Sequence, residues 1–281
     1  MIKLSREKKP KTKKVKPKRP LKHVLKSVRE VLKISPVDDA ESVWQWGEAG
    51  LEAVPEQFNI AVWNIWKSSG GELFLREYQN LCTGNHFLLC QEALLTLKGL
   101  AQFAPNGFLA SHGATYRRRD GLRDGVMTVA RVSPESGVIR VLCKSPEPLL
   151  KTPKATLISY FKIDGSLQPL CVVNTHSTLI RTPSKAVGEL EQVIDLIAHH
   201  EGPLIYAGDF NTFAAAYISE VDRVLSSIGL ERVRFAVDPR TATAALDQIY
   251  VRGLTVIQAA VDTGYVHSDH FPIIATLKVT G

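Results

Sequence analysis

The sequence has no apolar run near the ~18 residues that a membrane-crossing helix requires, which excludes a spanning segment. Its first residues are lysines and prolines, with no apolar stretch of the secretory kind, so the expected location is the cytoplasm. Cysteine is scarce. Cys82, Cys90, Cys143 and Cys171 form no C-x-x-C pair, and three of them lie in apolar, strand-like runs. That is the pattern of buried free thiols in a reducing compartment, not of a disulfide scaffold. An HExxH pair is also missing, and the neighbours His199 and His200 do not share a face, so the ligand set for zinc is poor. No fixed-period repeat is present. Core-forming side chains are not lacking: 44% of the 281 residues are hydrophobic and 22% are charged, which excludes a fully disordered chain.

Charge is unevenly spread. Residues 1–33 hold 11 Lys and 3 Arg against Glu7 and Glu30, a net +12; the whole chain is +7, so the remainder carries −5. The folded body is therefore not a broad cationic surface of the kind that coats a duplex. Residues 3–20 are Lys- and Pro-rich and expected to be disordered. Beyond them Leu21, Val24, Leu25, Val28, Val31 and Leu32 recur at helical spacing between basic residues. This predicts a basic amphipathic helix, suited to an anionic membrane surface, a partner, or its own domain. No aromatic residue precedes Trp44, so the tail offers no platform for stacked bases. Three segments follow: the basic tail and helix at 1–33, a connector at 34–57 with a short helix around Trp44 and Trp46, and a catalytic-type domain at 58–281.

From Phe58 onward, short apolar runs alternate with polar turns. FNIAVWNI, HFLLCQEA, DGVMTVARV, VIRVLCK, ATLISYFKI, PLCVVNTH, PLIYAGDF, LDQIYV and FPIIATLKV read as strands. Two helical patterns interrupt them, SKAVGELEQVIDLIAHH and AYISEVDRVLSSIGL. Many strands with few helices predict an α/β fold of sheets packed face to face with helices outside.

Polar residues that are awkward inside a strand collect at strand ends. They are Asn64, Gln91 and Glu92, Asn174 and His176, Asp209 and Asn211, Asp247, and Asp269 and His270. If these ends converge, the buried charge calls for a counter-ion. The carboxylates of Glu92, Asp209 and Asp269 and the carbonyls of Asn64 and Asn211 are hard oxygen donors, which suit Mg²⁺ or Mn²⁺. The loop YRRRDGLRDG adds Arg117, Arg118, Arg119 and Arg123, either as a solvated turn or, through Arg117 and Arg119, as a phosphate clamp.

Taken in order, Trp63-Asn64, Gln91-Glu92, Asn174 to His176, Gly208 to Asn211, Leu246 to Val251 and Ser268 to His270 resemble the endonuclease/exonuclease/phosphatase superfamily. The resemblance spans roughly residues 58–279, and WNIWK, DGVMTVAR and LDQIYVRGL look most like its bacterial YafD-like members. It implies a four-layer α/β sandwich of two packed, mostly antiparallel sheets flanked by helices, and metal-dependent hydrolysis of phosphoesters. By the same resemblance Glu92 is the main metal ligand, with Asn64 and Asp269 beside it. Asp209 and Asn211 orient or deprotonate the attacking water and hold a phosphoryl oxygen. Asp247 fixes the tautomer of His270. His176 stabilises the phosphorane or protonates the leaving oxygen, and Asn174 contacts substrate. Abasic-site endonucleases of this fold usually carry Tyr at the position of His176, which weighs against abasic-site repair. In DNase I a Glu pairs with that His; Asp124 is the nearest counterpart here.

The expected activity is that of a monomeric, Mg²⁺- or Mn²⁺-dependent nuclease or phosphodiesterase acting on nucleic acid. The alternative is a phosphatase or phospholipid phosphodiesterase held at an anionic membrane by residues 1–33. A third reading is a non-catalytic nucleic-acid-binding scaffold.

The charge split carries a test. Deleting residues 1–33 should leave turnover of a short soluble phosphodiester unchanged. It should weaken binding to long nucleic acid or anionic vesicles and flatten the salt dependence by several units of log–log slope. Unaltered salt dependence for both polyanions in a titration against ionic strength would show that the tail recruits neither.

Overall fold

The computed structural model describes residues 34–147, 151–179, 182–240 and 245–280. The basic tail and its expected helix lie outside the described residues. In chain order the strands are β1 (Ser35–Pro36), β2 (Val43–Gly47), β3 (Gln57–Asn64), β4 (Phe87–Leu95), β5 (Leu109–Arg117), β6 (Arg123–Ala130), β7 (Ile139–Leu142), β8 (Ala155–Phe161), β9 (Leu170–His176), β10 (Leu204–Asp209), β11 (Glu231–Arg232), β12 (Asp247–Arg252), β13 (Leu254–Val261) and β14 (Ile273–Val279). Among the described residues three α-helices punctuate them: α1 (Gly71–Thr83), α2 (Pro183–Ile197) and α3 (Ala215–Ser226).

The strands form two sheets. The first runs β1-β5-β6-β4-β3-β14-β13, with β2 also on β5; the second runs β11-β12-β10-β9-β8-β7. Among the described strands only β3–β4 and β9–β10 pair in parallel. The runs read as continuously apolar because most strands are covered on both faces. In β3, Phe58, Ile60 and Val62 point between the sheets, against Ile205, Ala207 and Ile249 of the second sheet. The alternate residues Ala61 and Trp63 point outward and are covered by Phe74, Tyr78 and Leu81 of α1. On the far side Val173, Leu204 and Tyr206 pack under Leu190, Val193 and Val221 from α2 and α3. Helix, sheet, sheet and helix make the four layers that the family resemblance implied.

Residues 43–47 correct one expectation. They form a strand, not a short helix, because VWQWG alternates with period two and lies antiparallel on β5. The Arg123 guanidinium sits 4.1 Å over the Trp44 ring and donates to the backbone and carboxylate of Glu41, which clamps this segment onto the sheet. Strands β5 and β13 and helix α1 had no clear sequence signal.

Cys82, Cys90 and Cys171 are buried and Cys143 is half-buried. Burial pushes the thiols of Cys82 and Cys171 up to about 12, and those of Cys90 and Cys143 upward as well.

One backbone position is sterically exclusive. Gly208 has φ 141, and a Cβ there would lie 1.9 Å from the Thr175 carbonyl oxygen on the adjoining strand. Glycine is what lets β10 pass close to β9 just before Asp209. Gly208→Ala should therefore destabilise the fold by more than about 2 kcal/mol. A lower urea midpoint with an unchanged slope would register it; an unshifted midpoint would show that the strands separate freely here.

Candidate active site

The polar strand ends meet along one edge of the sandwich, and side-chain hydrogen bonds cross it from sheet to sheet. Asn64, ending β3 in the first sheet, donates through Nδ2 to Asp209 Oδ2 at the end of β10 in the second, at 3.0 Å. Gln91 of β4 donates to Asn174 Oδ1 of β9 at 2.7 Å. His270, three residues before β14, meets Asp247 Oδ2 of β12 through Nδ1 at 2.8 Å. Register explains the convergence: Asp209 is paired with His176 on one side and with Asp247 on the other.

Local backbone holds these groups in place. Trp63 Nε1 donates to the His270 carbonyl at 2.9 Å, and Ser268 Oγ donates to the Asn64 carbonyl at 2.6 Å. The register of β4 slips between Cys90 and Ala93, and Glu92 lies at φ 55 within that bulge. Asn211, at φ 52, donates its backbone N–H to Asp209 Oδ1 and its side-chain amide to the Ser177 carbonyl.

The titratable groups separate into unlike states. Burial opposes charge on His270, yet Asp247, with Asp209 and Asp269, outweighs it and raises the imidazole to about 9. His176 goes the other way. Burial, with Lys154, Lys67 and His270 nearby, holds it well below the usual imidazole range. Its Nε2, 3.4 Å from Asp209 Oδ2 and 4.0 Å from Glu92 Oε1, is therefore a neutral ring beside acids and not an ion-pair partner. Burial and the Asp247 charge raise Asp209 to about 6, against the pull of His270 and its two hydrogen bonds. Glu92 is lowered: burial resists, but Lys67 and Lys154 prevail.

The residues expected at the site divide accordingly. Asn64, Glu92, His176, Asp209, Asn211, Asp247 and His270 are brought together. Asn174 is not available to substrate: fully buried, it donates to the carbonyls of Cys90 and Met127 and to Thr128 Oγ1 and ties the two sheets. Asp124 faces Lys67, at 2.9 and 3.0 Å, and makes no ion pair with His176. Asp269 is exposed and makes no hydrogen bond among the described residues, so it acts here through charge on His270. Arg123 is committed to Glu41 and Trp44, and Arg118 to Asp120, while Arg117 and Arg119 are exposed. Sequence reasoning passed over Lys67 and Lys154, which both reach Glu92. Lys67 stands three residues after Asn64 and was open to notice; Lys154 had no local signal.

A hard divalent cation fits this donor set. Ligand atoms of Asp209, Asp247 and His270 lie within 4.8 Å of one another, and Asp247 Oδ1 is buried without a hydrogen-bond partner. The Glu92 carboxylate and the Asn64 carbonyl oxygen supply further oxygen donors on the same edge. A groove of about 800 Å³ lined by Arg232, Arg234 and Arg252 lies at the other end of the sandwich and includes none of these residues.

Residues 61–270 match the sequence profile of the endonuclease/exonuclease/phosphatase family. A UPF0294 protein of Yersinia pseudotuberculosis is 34% identical over 230 residues, 79% of this chain and 84% of that protein. Among solved structures, an endonuclease/exonuclease/phosphatase from Beutenbergia cavernae superposes with a TM-score of 0.62 at 15% identity, covering 80% of this chain and 72% of the other. The human Nocturnin catalytic domain, solved with a bound sulfate anion, gives a TM-score of 0.60 at 18% identity over 81% of this chain and 96% of its own.

The Asp247–His270 pair sets a pH dependence. A folded-state value raised above the unfolded ~6.5 means that the pair stabilises fully below about 6.5 and that this stability is lost as pH rises through about 9. In chelator-treated protein, NMR titration should find the His270 ring changing charge near 9. Asp247→Asn should lower that transition markedly, because the strongest charge opposing burial is removed while Asp209 and Asp269 remain. A His270 transition unaffected by Asp247→Asn would disprove the pairing.

Proposed function

The chain belongs to the endonuclease/exonuclease/phosphatase family, whose members hydrolyse phosphoester bonds, and from that premise we propose that it is a divalent-metal-dependent phosphodiesterase acting on nucleic acid by in-line attack of water. The observation that carries the reading is the convergence on one edge of a charged His270–Asp247 pair, an Asp209 of raised affinity for protons, a neutral His176 and the Glu92 carboxylate.

Glu92 would hold the cation, with Asp209, Asp247 and the Asn64 carbonyl as further oxygen donors. When bound, Mg²⁺ or Mn²⁺ would supply charge neutralisation at the phosphoryl oxygens. The chain's own groups do the rest. Asp209 is placed to take a proton from the attacking water. Its two oxygens are oriented by the Asn64 amide and the Asn211 backbone N–H. His270 uses Nδ1 on Asp247, which leaves Nε2–H to donate to a phosphoryl oxygen as negative charge grows. His176 is a neutral hydrogen-bond partner for the leaving side. Phosphoryl transfer asks for little covalent help, so positioning and charge carry the rate.

The membrane-surface alternative, a phosphatase or phospholipid phosphodiesterase, rests on the helical apolar spacing of Leu21 to Leu32 within the basic tail. Plasmid, single-stranded RNA, abasic duplex, inositol phosphate and sphingomyelin offered side by side separate the two.

Chelation should abolish hydrolysis and Mg²⁺ or Mn²⁺ restore it, with Glu92→Ala losing about 10²-fold or more. Asp247→Asn should cost nearly as much as His270→Ala, and the double variant little more. Full activity in chelator would refute the metal reading, and additive losses would refute the coupled pair.

A further inference from the structure

Glu92 is held by two ammonium groups from different parts of the fold. Lys67 Nζ lies 3.2 Å from Oε2, and Lys154 Nζ lies 3.4 Å from Oε1. Lys67 comes from the turn after β3 in the first sheet. Lys154 immediately precedes β8 in the second. Both carboxylate oxygens are thus engaged by cations already belonging to the chain.

The Lys67 turn is strained. Trp66, Lys67 and Ser68 are consecutive non-glycine residues at φ 40, 61 and 53, where L-residues are disfavoured. Hydrogen bonds hold the turn there. The Asn64 side-chain carbonyl accepts from Trp66 N, Ser68 N donates to the Ile65 carbonyl, and Ser69 Oγ donates to that of Trp66. A backbone kept in this region against its preference is a reason to look for a task. Its result is to aim the Lys67 side chain at Asp124 and Glu92.

A divalent cation at Glu92 has to take oxygen lone pairs that these ammonium groups now occupy. It also brings like charge to within a few ångströms of both. Lys67 keeps Asp124 as a partner, and Lys154 keeps only Glu147, at 3.8 Å. An ammonium released in a half-buried site needs an anion. The non-bridging oxygens of a phosphoester, arriving at the same edge, meet that need.

We propose that Lys67 and Lys154 are counter-ions of Glu92 that exchange partners during loading: the cation takes Glu92, the two ammonium groups turn to the substrate phosphate, and cation and phosphate consequently bind with positive cooperativity. This rests on the reading that Glu92 anchors a divalent cation. Linkage makes the coupling reciprocal, so each ligand raises the affinity for the other by the same factor. The lysines thereby act as phosphate-binding residues only in the metal-loaded protein.

The test is a Mn²⁺ titration of the full chain followed by electron paramagnetic resonance of the free ion. It is run with and without millimolar inorganic phosphate, against a protein-free series that removes Mn²⁺–phosphate association. In the wild type, phosphate should tighten Mn²⁺ binding about tenfold. Lys67→Met should bind Mn²⁺ several-fold more tightly without phosphate, and its response to phosphate should shrink to about twofold or less. Lys67→Arg should keep most of the coupling. Lys154→Met, on the other sheet, repeats the experiment independently if Lys67→Met does not fold. Wild-type Mn²⁺ affinity indifferent to phosphate, or coupling intact in both methionine variants, would overturn the exchange while leaving the metal reading in place. No Mn²⁺ binding by any variant at millimolar concentration would overturn both.

Discussion

Apolar packing between two sheets is strong but carries no direction, so it does not by itself decide which strand end faces which. In this protein the decision falls to buried amides at the seam. Asn174, on the second sheet, uses its carbonyl for Gln91 and its amide hydrogens for the Cys90 and Met127 carbonyls and Thr128 Oγ1, all on the first. A fully buried amide left without partners is costly, so this group tolerates few relative placements of the sheets. The distances from Asn64 to Asp209 and from Asp247 to His270 are set by the same registration.

With the sheets registered, burial works on each ionisable group according to its neighbours. His270 and His176 are both enclosed imidazoles on one edge, yet one is held charged and the other neutral. The difference is the partner: a carboxylate at 2.8 Å for His270, and surrounding positive charge for His176. Pushing like groups apart in this way gives a single pocket both a charged and a neutral hydrogen-bond donor at neutral pH. Glu92 and Asp209 are likewise divided, the first kept ionised by lysines and the second made more basic by burial and by Asp247.

Much of this was legible in the sequence because strand ends are where polar residues interrupt apolar runs. Most strands from Phe58 onward and the order of the polar sites followed from that rule, and the two later helices followed from their apolar spacing. Strand β5 was not legible, since LASHGATYR offers small and polar side chains where the rule looks for branched ones, and tertiary burial decided its state. Residues 43–47 misled because two tryptophans are compatible with either state until a partner strand and the Arg123 guanidinium are present. Asn174 stands at the edge as expected, and its side chain is engaged with the opposite sheet. Which way an amide faces depends on the opposite sheet, and no local pattern records that. Lys67 was passed over although it stands three residues after Asn64, because a single lysine in a turn is ordinarily a solvated one.

The central strand pair of the first sheet also bears on how the chain is made. Trp63 and His270 are hydrogen-bonded although 207 positions separate them, and β14 fills the place between β3 and β13. A nascent chain emerging N-terminus first therefore exposes that edge of β3 until residues 273–279 are available to pair with it. Closing so long a loop favours slow assembly, with β13 held in the sheet only through β14. The imidazole of His270 arrives just ahead of β14, so chains cut short before residue 270 lack the group that pairs with Asp247. Synthesis and competence are thus tied: an unfinished copy is left without its charged donor.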